Sequence, residues 1–230
     1  MAGVIAHNLF HRVGDLRTGV DVLRDVSLDA PAGMVTAVVG PAGSGKTSLL
    51  HVLAGLDRPT SGSVALDGRN LRGLDDIELC RLRRERIGLL LPAASVLPTI
   101  TVRENVALPL LIARRPPAPE AVDALLERVG LARVADKRPS ELAVYCRQRV
   151  ALARALIGGP SLLLADEPAG DMDSEEGAEL LILLREIAHE DGVTVVLFTR
   201  DIDDAAGVAD QIVTLEAGRI VAPAAAQLAA

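Results

Sequence analysis

Tryptophan is absent, and one tyrosine and two phenylalanines are the only aromatic side chains in 230 residues. A core built here has to be aliphatic. Half of the residues are hydrophobic, enough Leu, Val, Ile and Ala for one large α/β domain. Cysteine is scarce as well. Cys80 and Cys146 make no disulfide framework and point to a reducing compartment. No run is long enough to cross a membrane as a helix. The longest uncharged stretch, Ile87 to Val102, falls short of the ~20 apolar residues a span needs, and Pro92 and Pro98 interrupt it. The N-terminus has no positively charged segment leading into an apolar one, so no secretory signal is expected. A net charge of −7 without a basic arm or stripe argues against nucleic acid as a partner. The expectation is a soluble, cytoplasmic protein, held at a membrane only through something else.

Lysine is the rarest charge. Of 24 Lys and Arg residues only Lys46 and Lys137 are lysines, and Lys46 falls in Gly40-Pro41-Ala42-Gly43-Ser44-Gly45-Lys46-Thr47. That stretch fits G-x-x-x-x-G-K-[ST], the loop that wraps nucleotide phosphates between a strand and a helix. Its glycines let backbone N–H groups approach phosphate oxygens with no Cβ in the way. Lys46 supplies a mobile point charge for the β- and γ-phosphates, and the Thr47 hydroxyl is placed to reach Mg²⁺. The apolar run Met34 to Val39 reads as a buried strand entering the loop. Ser48 to Ala54 reads as the helix leaving it, its positive end aimed at the phosphates.

Along the rest of the chain, strands are expected at Val4–Phe10, Val20–Leu28 and Ser63–Leu66, and a surface helix at Asp75–Arg86. Between Gly88 and Pro139 no strand-like run stands out. Helices are expected at Thr101–Leu111 and Pro119–Val129, and a further one from Ser140 to Ile157. Strands return at Ser161–Ala165, Thr194–Thr199 and Gln211–Leu215 with helices between them, the alternation of a mostly parallel buried sheet. The first of these late strands runs into Asp166, Glu167 and Pro168. Asp166 at the strand end is placed to orient Mg²⁺ or its waters, and Glu167 to polarise an attacking water. A lone acidic pair after a strand also suits a helix cap; the phosphate loop upstream is what gives this pair weight.

The order of these pieces resembles the nucleotide-binding domain of the ATP-binding-cassette (ABC) superfamily: GPAGSGKT, then PSELAVYCRQRVALARAL, then LLLADEPAGDMDS and LFTRD. VLRDVSL, LAGLDRPTSGSV and TVRENVALPLL are similar to its lipoprotein-release and macrolide-export branch. The resemblance implies a P-loop NTPase of α/β class, with a mostly parallel sheet core, an antiparallel β subdomain and a helical insertion at 88–157. It implies a single domain over 1–230 with a frayed tail at 222–230. It also implies ATP held by the loop through Ser48, Mg²⁺ at Thr47 and Asp166, and Glu167 as the catalytic base. The partners implied are a second ATP-binding subunit, in a homodimer or heterodimer, and a permease that keeps the complex at the inner face of the cell membrane.

Four positions depart from that pattern. Val13 stands where an aromatic residue stacks on adenine. Pro92 replaces a glutamine that touches Mg²⁺ and the lytic water, and it offers no side-chain donor or acceptor. Leu142-Ala143-Val144-Tyr145-Cys146 replaces LSGGQ, removing a serine hydroxyl and placing bulk where the partner's phosphate approaches. Arg200 stands in place of a histidine; it either holds phosphate as a bidentate cation or pairs on the surface with Asp201, Asp203 or Asp204. The combined expectation is ATP binding with slow turnover, and the alternative is a module that binds ATP and gates a membrane partner without cycling. An ABC-type repair or translation ATPase fits poorly, since the chain shows no zinc module, coiled-coil arm or second cassette.

Overall fold

The computed structural model describes residues 3–14, 18–91, 96–170 and 172–221. The site is positioned by a six-stranded sheet whose strands are too apolar to face water. β3 (Val35–Val39) and β8 (Thr194–Thr199) are buried at every residue, the pattern of strands covered on both faces. β8 and β9 (Gln211–Glu216) flank β3 in parallel. Outside β8 come β7 (Leu162–Asp166) and then β6 (Ile87–Leu90), also parallel, while the short β10 (Arg219–Val221) returns antiparallel beside β9. The register brings the strand ends level. Val39 pairs with Thr199, and Asp166 with Phe198. The chain therefore leaves three neighbouring strands at one edge, through Gly40, Glu167 and Arg200. Carboxyl ends of parallel strands are where such folds bind ligands.

A second, antiparallel sheet has the order β2-β1-β4-β5, formed by β1 (Val4–Val13), β2 (Val20–Ala30), β4 (Ser61–Leu66) and β5 (Arg69–Asn70). Its inner face alternates into a core with Leu49, Leu50 and Leu53 of α1 (Lys46–Leu53) and Leu79 and Leu82 of α2 (Asp76–Arg86). The opposite face of the six-stranded sheet is covered by α3 (Val102–Ile112), α4 (Pro119–Arg128), α5 (Val144–Leu156), α6 (Ser174–Asp191) and α7 (Ile202–Val208). Both cores are aliphatic except for Phe198, which is fully buried between the sheets.

Two helix starts are set by reciprocal caps. Thr101 Oγ1 accepts from Glu104 N (3.2 Å) while Glu104 Oε2 accepts from Thr101 N (2.7 Å), and Asp75 and Glu78 do the same for α2. Asn105 is fully buried and ties the segment ahead of α3 to that helix. Its Oδ1 accepts from Leu97 N (2.9 Å), and its Nδ2 donates to the carbonyls of Leu97 (3.0 Å) and Thr101 (2.9 Å).

The structure corrects the sequence reading in three places. β6 lies where no strand stood out, because it is four residues long and contains Gly88. That glycine is needed: a Cβ there would stand 2.7 Å from the Ala155 carbonyl of α5. β10 is a three-residue edge strand and left no pattern. The single helix expected over 140–157 is broken: Pro139–Glu141 makes one 3-10 turn, Leu142 is extended, and α5 begins at Val144. The frayed-tail expectation for 222–230 lies outside the described residues.

Candidate nucleotide-binding site

The phosphate loop turns on two glycines in the left-handed region, Gly43 (φ 77°) and Gly45 (φ 108°). A Cβ on Gly45 would stand 2.8 Å from the Val22 carbonyl of β2, and one on Gly40 would meet the Leu215 carbonyl at 2.2 Å. Only glycine fits this cradle. α1 starts directly behind it with no side-chain cap and no acidic residue in its first turn. Its first N–H groups are thus left for an anion. Ser44 is buried inside the loop with no hydrogen-bond partner for its hydroxyl among the described residues.

Lys46 is nearly buried. Its ammonium donates to the carbonyls of Gly40 (2.6 Å) and Pro41 (3.2 Å), and lies 3.5 Å from Glu167 Oε1. Next to it Thr47 Oγ1 donates to Asp166 Oδ2 at 3.5 Å. Burial pushes the Asp166 carboxyl above the ordinary carboxylate range, and the charge of Glu167 adds to this. Lys46, the Thr47 hydroxyl and His51 pull the other way. Glu167 takes a left-handed backbone (φ 45°), anchored by its N–H on the Phe198 carbonyl at 2.8 Å. A non-glycine residue held there stores strain of the kind found at functional sites. The expected acidic neighbours of Arg200 are not its partners. Its Nε donates to Glu167 Oε1 at 3.0 Å and its backbone N–H to Glu167 Oε2 at 3.2 Å. Asp201 instead caps α7 by accepting from Asp203 N at 2.8 Å.

These groups line one open cleft of about 720 Å³, together with Ala42, Ser48 and Gly170. A sequence profile of the family described as ABC transporter matches residues 23–170, well over half of the chain. The chain belongs to the ABC transporter family. The solved ATP-binding cassette MJ0796, dimeric in a post-hydrolysis state bound to ADP and Pi, superposes with a TM-score of 0.85 at 34% identity. That match covers 94% of this chain and 96% of the other.

Among curated relatives, the lipoprotein-releasing system ATP-binding protein LolD of Myxococcus xanthus is 44% identical over 184 residues, 79% of this chain and 82% of LolD. The macrolide export ATP-binding/permease protein MacB of Nitrosomonas europaea is 44% identical over 88% of this chain and 31% of MacB. The pyoverdine export ATP-binding/permease protein PvdT of Pseudomonas entomophila is 43% identical over 90% of this chain and 32% of PvdT. The chain thus spans about a third of the length of those two export proteins.

The chain carries the family's phosphate loop at 40–47. Its departures from the family pattern are visible in the geometry. Val13 is 51% exposed at the end of β1 and carries no ring to stack on a base. α5 starts from Ala143 with no side-chain cap. In its first turn, Tyr145 lies under the Arg149 guanidinium, 5.9 Å from ring centre to carbon. Arg147, Gln148 and Arg149 continue the helix as expected. Pro92 lies outside the described residues. Gln148, buried, donates to the Leu91 carbonyl at 3.4 Å and lines the cleft, a contact with no local signal in the sequence. Val22 and Met172 also line it unannounced; Val22 is betrayed only by the need for glycine at 45.

The oxygen donors suit Mg²⁺. Thr47 and Asp166 provide one hydroxyl and one carboxylate, and Mg²⁺ is usually held by one or two protein oxygens, substrate phosphates and waters rather than by an all-protein cage. No group of three His, Cys, Asp or Glu side chains able to hold a metal occurs among the described residues. No described helix is long and apolar enough to cross a membrane.

Proposed function

We propose that the chain is the ATP-binding subunit of an ABC-type membrane transport complex, in which ATP draws two such subunits together and the closure moves a partner permease. The observation that carries this is the convergence of Lys46, Thr47, Asp166 and Glu167 at the uncapped end of α1. Lys46 exchanges its loop carbonyls for the β- and γ-phosphates, and the N–H groups of the loop and of Ser48 surround them. Thr47 and Asp166 hold Mg²⁺, which when bound offsets charge on the phosphate oxygens. Glu167 takes the proton of the water that attacks the γ-phosphorus as the bond to the β-γ bridging oxygen breaks, releasing ADP and phosphate. Turnover is slow. Ala143 has no hydroxyl to give, Val144 and Tyr145 crowd the start of α5, and loss of one transition-state donor costs about 10²–10³ in rate.

Transport is inferred from LolD, MacB and PvdT, whose names describe lipoprotein release, macrolide export and pyoverdine export. The partners on this reading are a permease and a second ATP-binding subunit, identical or different. The location is the cytoplasmic face of the membrane that holds the permease. A single domain with its helical insertion at 88–157 serves that arrangement.

The test is equilibrium ATP·Mg²⁺ binding alongside steady-state hydrolysis, with Lys46→Ala and Glu167→Gln as controls. Binding that weakens at least about tenfold in Lys46→Ala is expected, since a charge-assisted contact to phosphate is lost. Slow hydrolysis that vanishes in Glu167→Gln is expected beside it. Wild-type protein that binds no ATP would defeat the reading.

A further inference from the structure

The turn between β9 and β10 reaches the phosphate loop from behind. Glu216 pairs with Arg219, so Ala217 and Gly218 are the two residues of a tight hairpin turn. Both have positive φ, 47° and 77°, the type I′ geometry that matches the twist of two antiparallel strands. Alanine is strained in the first place, because its Cβ crowds a left-handed backbone. Glycine is obligatory in the second. A Cβ on Gly218 would stand 2.5 Å from the Val22 carbonyl oxygen and 3.4 Å from Leu23 Cα. The same Val22 oxygen would be 2.8 Å from a Cβ on Gly45. The turn and the loop therefore both press on one carbonyl of β2, with no room for a side chain on either.

Hydrogen bonds turn this contact into an orientation. Gly218 N–H donates to the Ser44 carbonyl at 2.9 Å, and the Gly218 carbonyl accepts from Arg24 N of β2 at 2.7 Å. A trans peptide is planar, with its C=O and N–H pointing in opposite directions. Holding the Ser44 carbonyl against the turn therefore aims the Gly45 N–H, the other half of that peptide, away from it. Gly45 lines the cleft, and its N–H donates to no described residue. It is one of the N–H groups left for phosphate. Without the Gly218 contact the peptide is free to rotate. A flipped peptide would present the Ser44 carbonyl oxygen to an anion, and the loop would repel what it is shaped to hold.

Resting on the ATPase reading above, we propose that Gly218 is a positioning residue for nucleotide: its N–H fixes the Ser44–Gly45 peptide so that the loop meets phosphate already aligned. The loop wraps phosphates that ADP and ATP share, and the contact involves neither Thr47 nor Asp166. Gly218→Ala moves the turn off Val22 and loosens the peptide. Affinity for ATP and for ADP falls by the same factor, about tenfold, with Mg²⁺ present or chelated. KM rises while kcat holds, because the interaction is made equally in the ground and transition states. Ala217→Asn is the control. Asparagine suits the left-handed place before glycine, so this variant raises the urea midpoint and leaves both affinities within about twofold.

The experiment measures calorimetric affinity for ATP and ADP, steady-state hydrolysis and urea midpoint on the full chain and its Gly218→Ala and Ala217→Asn variants. Equal losses for the two nucleotides in Gly218→Ala, with kcat unchanged and Ala217→Asn unaffected, support the proposal. Unchanged affinities in folded Gly218→Ala, a loss confined to ATP, or a fall in kcat alone overturns it. An equal loss of affinity in Ala217→Asn overturns it too. Where Gly218→Ala does not fold, amide exchange in the wild-type protein decides. Coupling is reciprocal, so bound ADP slows exchange of the Gly218 N–H if the contact aligns the loop; exchange indifferent to ADP overturns the proposal. Folded wild-type protein that binds neither nucleotide overturns the ATPase reading itself, and this proposal with it.

Discussion

At the floor of the cleft burial, and then the charge of Glu167, push the Asp166 carboxyl up. It titrates higher in the folded protein than in an unfolded chain. The folded state therefore binds more protons in that window, and stability is full below the unfolded-chain value and lost as pH rises through the folded one. Asp166→Asn removes the loss. The nucleotide-free variant should melt above wild type at neutral pH, with the difference disappearing in acid. The same variant should lose Mg²⁺-dependent ATP affinity. Differential scanning calorimetry across pH, without and then with ATP·Mg²⁺, checks both halves; a variant that melts lower at neutral pH would mean that the carboxylate is a net stabiliser. Legibility at this scale was uneven. Lys46, Thr47, Asp166 and Glu167 were readable because their chemistry goes with fixed spacing along the chain. The partner of Arg200 was not, because local charge points to Asp201, Asp203 and Asp204, whereas strand register delivers Glu167 from 33 residues away.

Among the helices, α5 shows what a missing cap does. Ala143 already has the extended backbone of a capping residue (φ −62°, ψ 162°) but no oxygen to offer. Ala143→Ser should stabilise the fold by about 0.5–1 kcal/mol, read as a rise in urea midpoint with an unchanged slope. No gain would mean that the first N–H groups of α5 are satisfied by water. α3 is the opposite case, its approach pinned by a buried amide. Asn105→Leu keeps the branched shape and takes the amide partner from the Leu97 N–H and from the carbonyls of Leu97 and Ile100. A loss of about 2–4 kcal/mol is expected, at about 1–3 for each buried group stranded, and a loss below about 1 kcal/mol by denaturant titration would show that the segment repacks. Element type was mostly readable from period. The failures were short pieces: β6, whose glycine is dictated by α5, and β10, whose three residues pair only because a turn brings them back onto β9.

Across the whole molecule one residue joins three parts of the sheet's far edge. Asp210 Oδ2 accepts from Val35 N at 2.8 Å and lies 3.0 Å from His189 Nε2, while its own N–H donates to the Val35 carbonyl at 2.9 Å. It thus ties the start of β3 to the last turn of α6 and the entry to β9. Burial pushes its carboxyl up, but the Val35 N–H, the His189 hydrogen bond and the charges of His189 and Arg185 outweigh this and hold it below the ordinary range. That stabilisation is present above the unfolded-chain value and lost as pH falls through the folded one. Asp210→Ala should cost about 1.5–3 kcal/mol at neutral pH, and the gap to wild type should narrow in acid. A gap that is constant with pH would assign the loss to packing alone. The parallel sheet was readable from its apolar runs, and the order of its strands was not. Register is a property of pairing, and no single strand carries it.

The same scarcity of aromatics that makes the core aliphatic gives the molecule a built-in optical label. Tyr145 is the one tyrosine and there is no tryptophan, so tyrosine emission, excited at wavelengths where the two phenylalanines do not absorb, reports on the first turn of α5 and nowhere else. Its ring already lies under Arg149. Any event that moves that cation or covers that turn, such as closure of two subunits over ATP, changes the signal without a dye or an engineered residue.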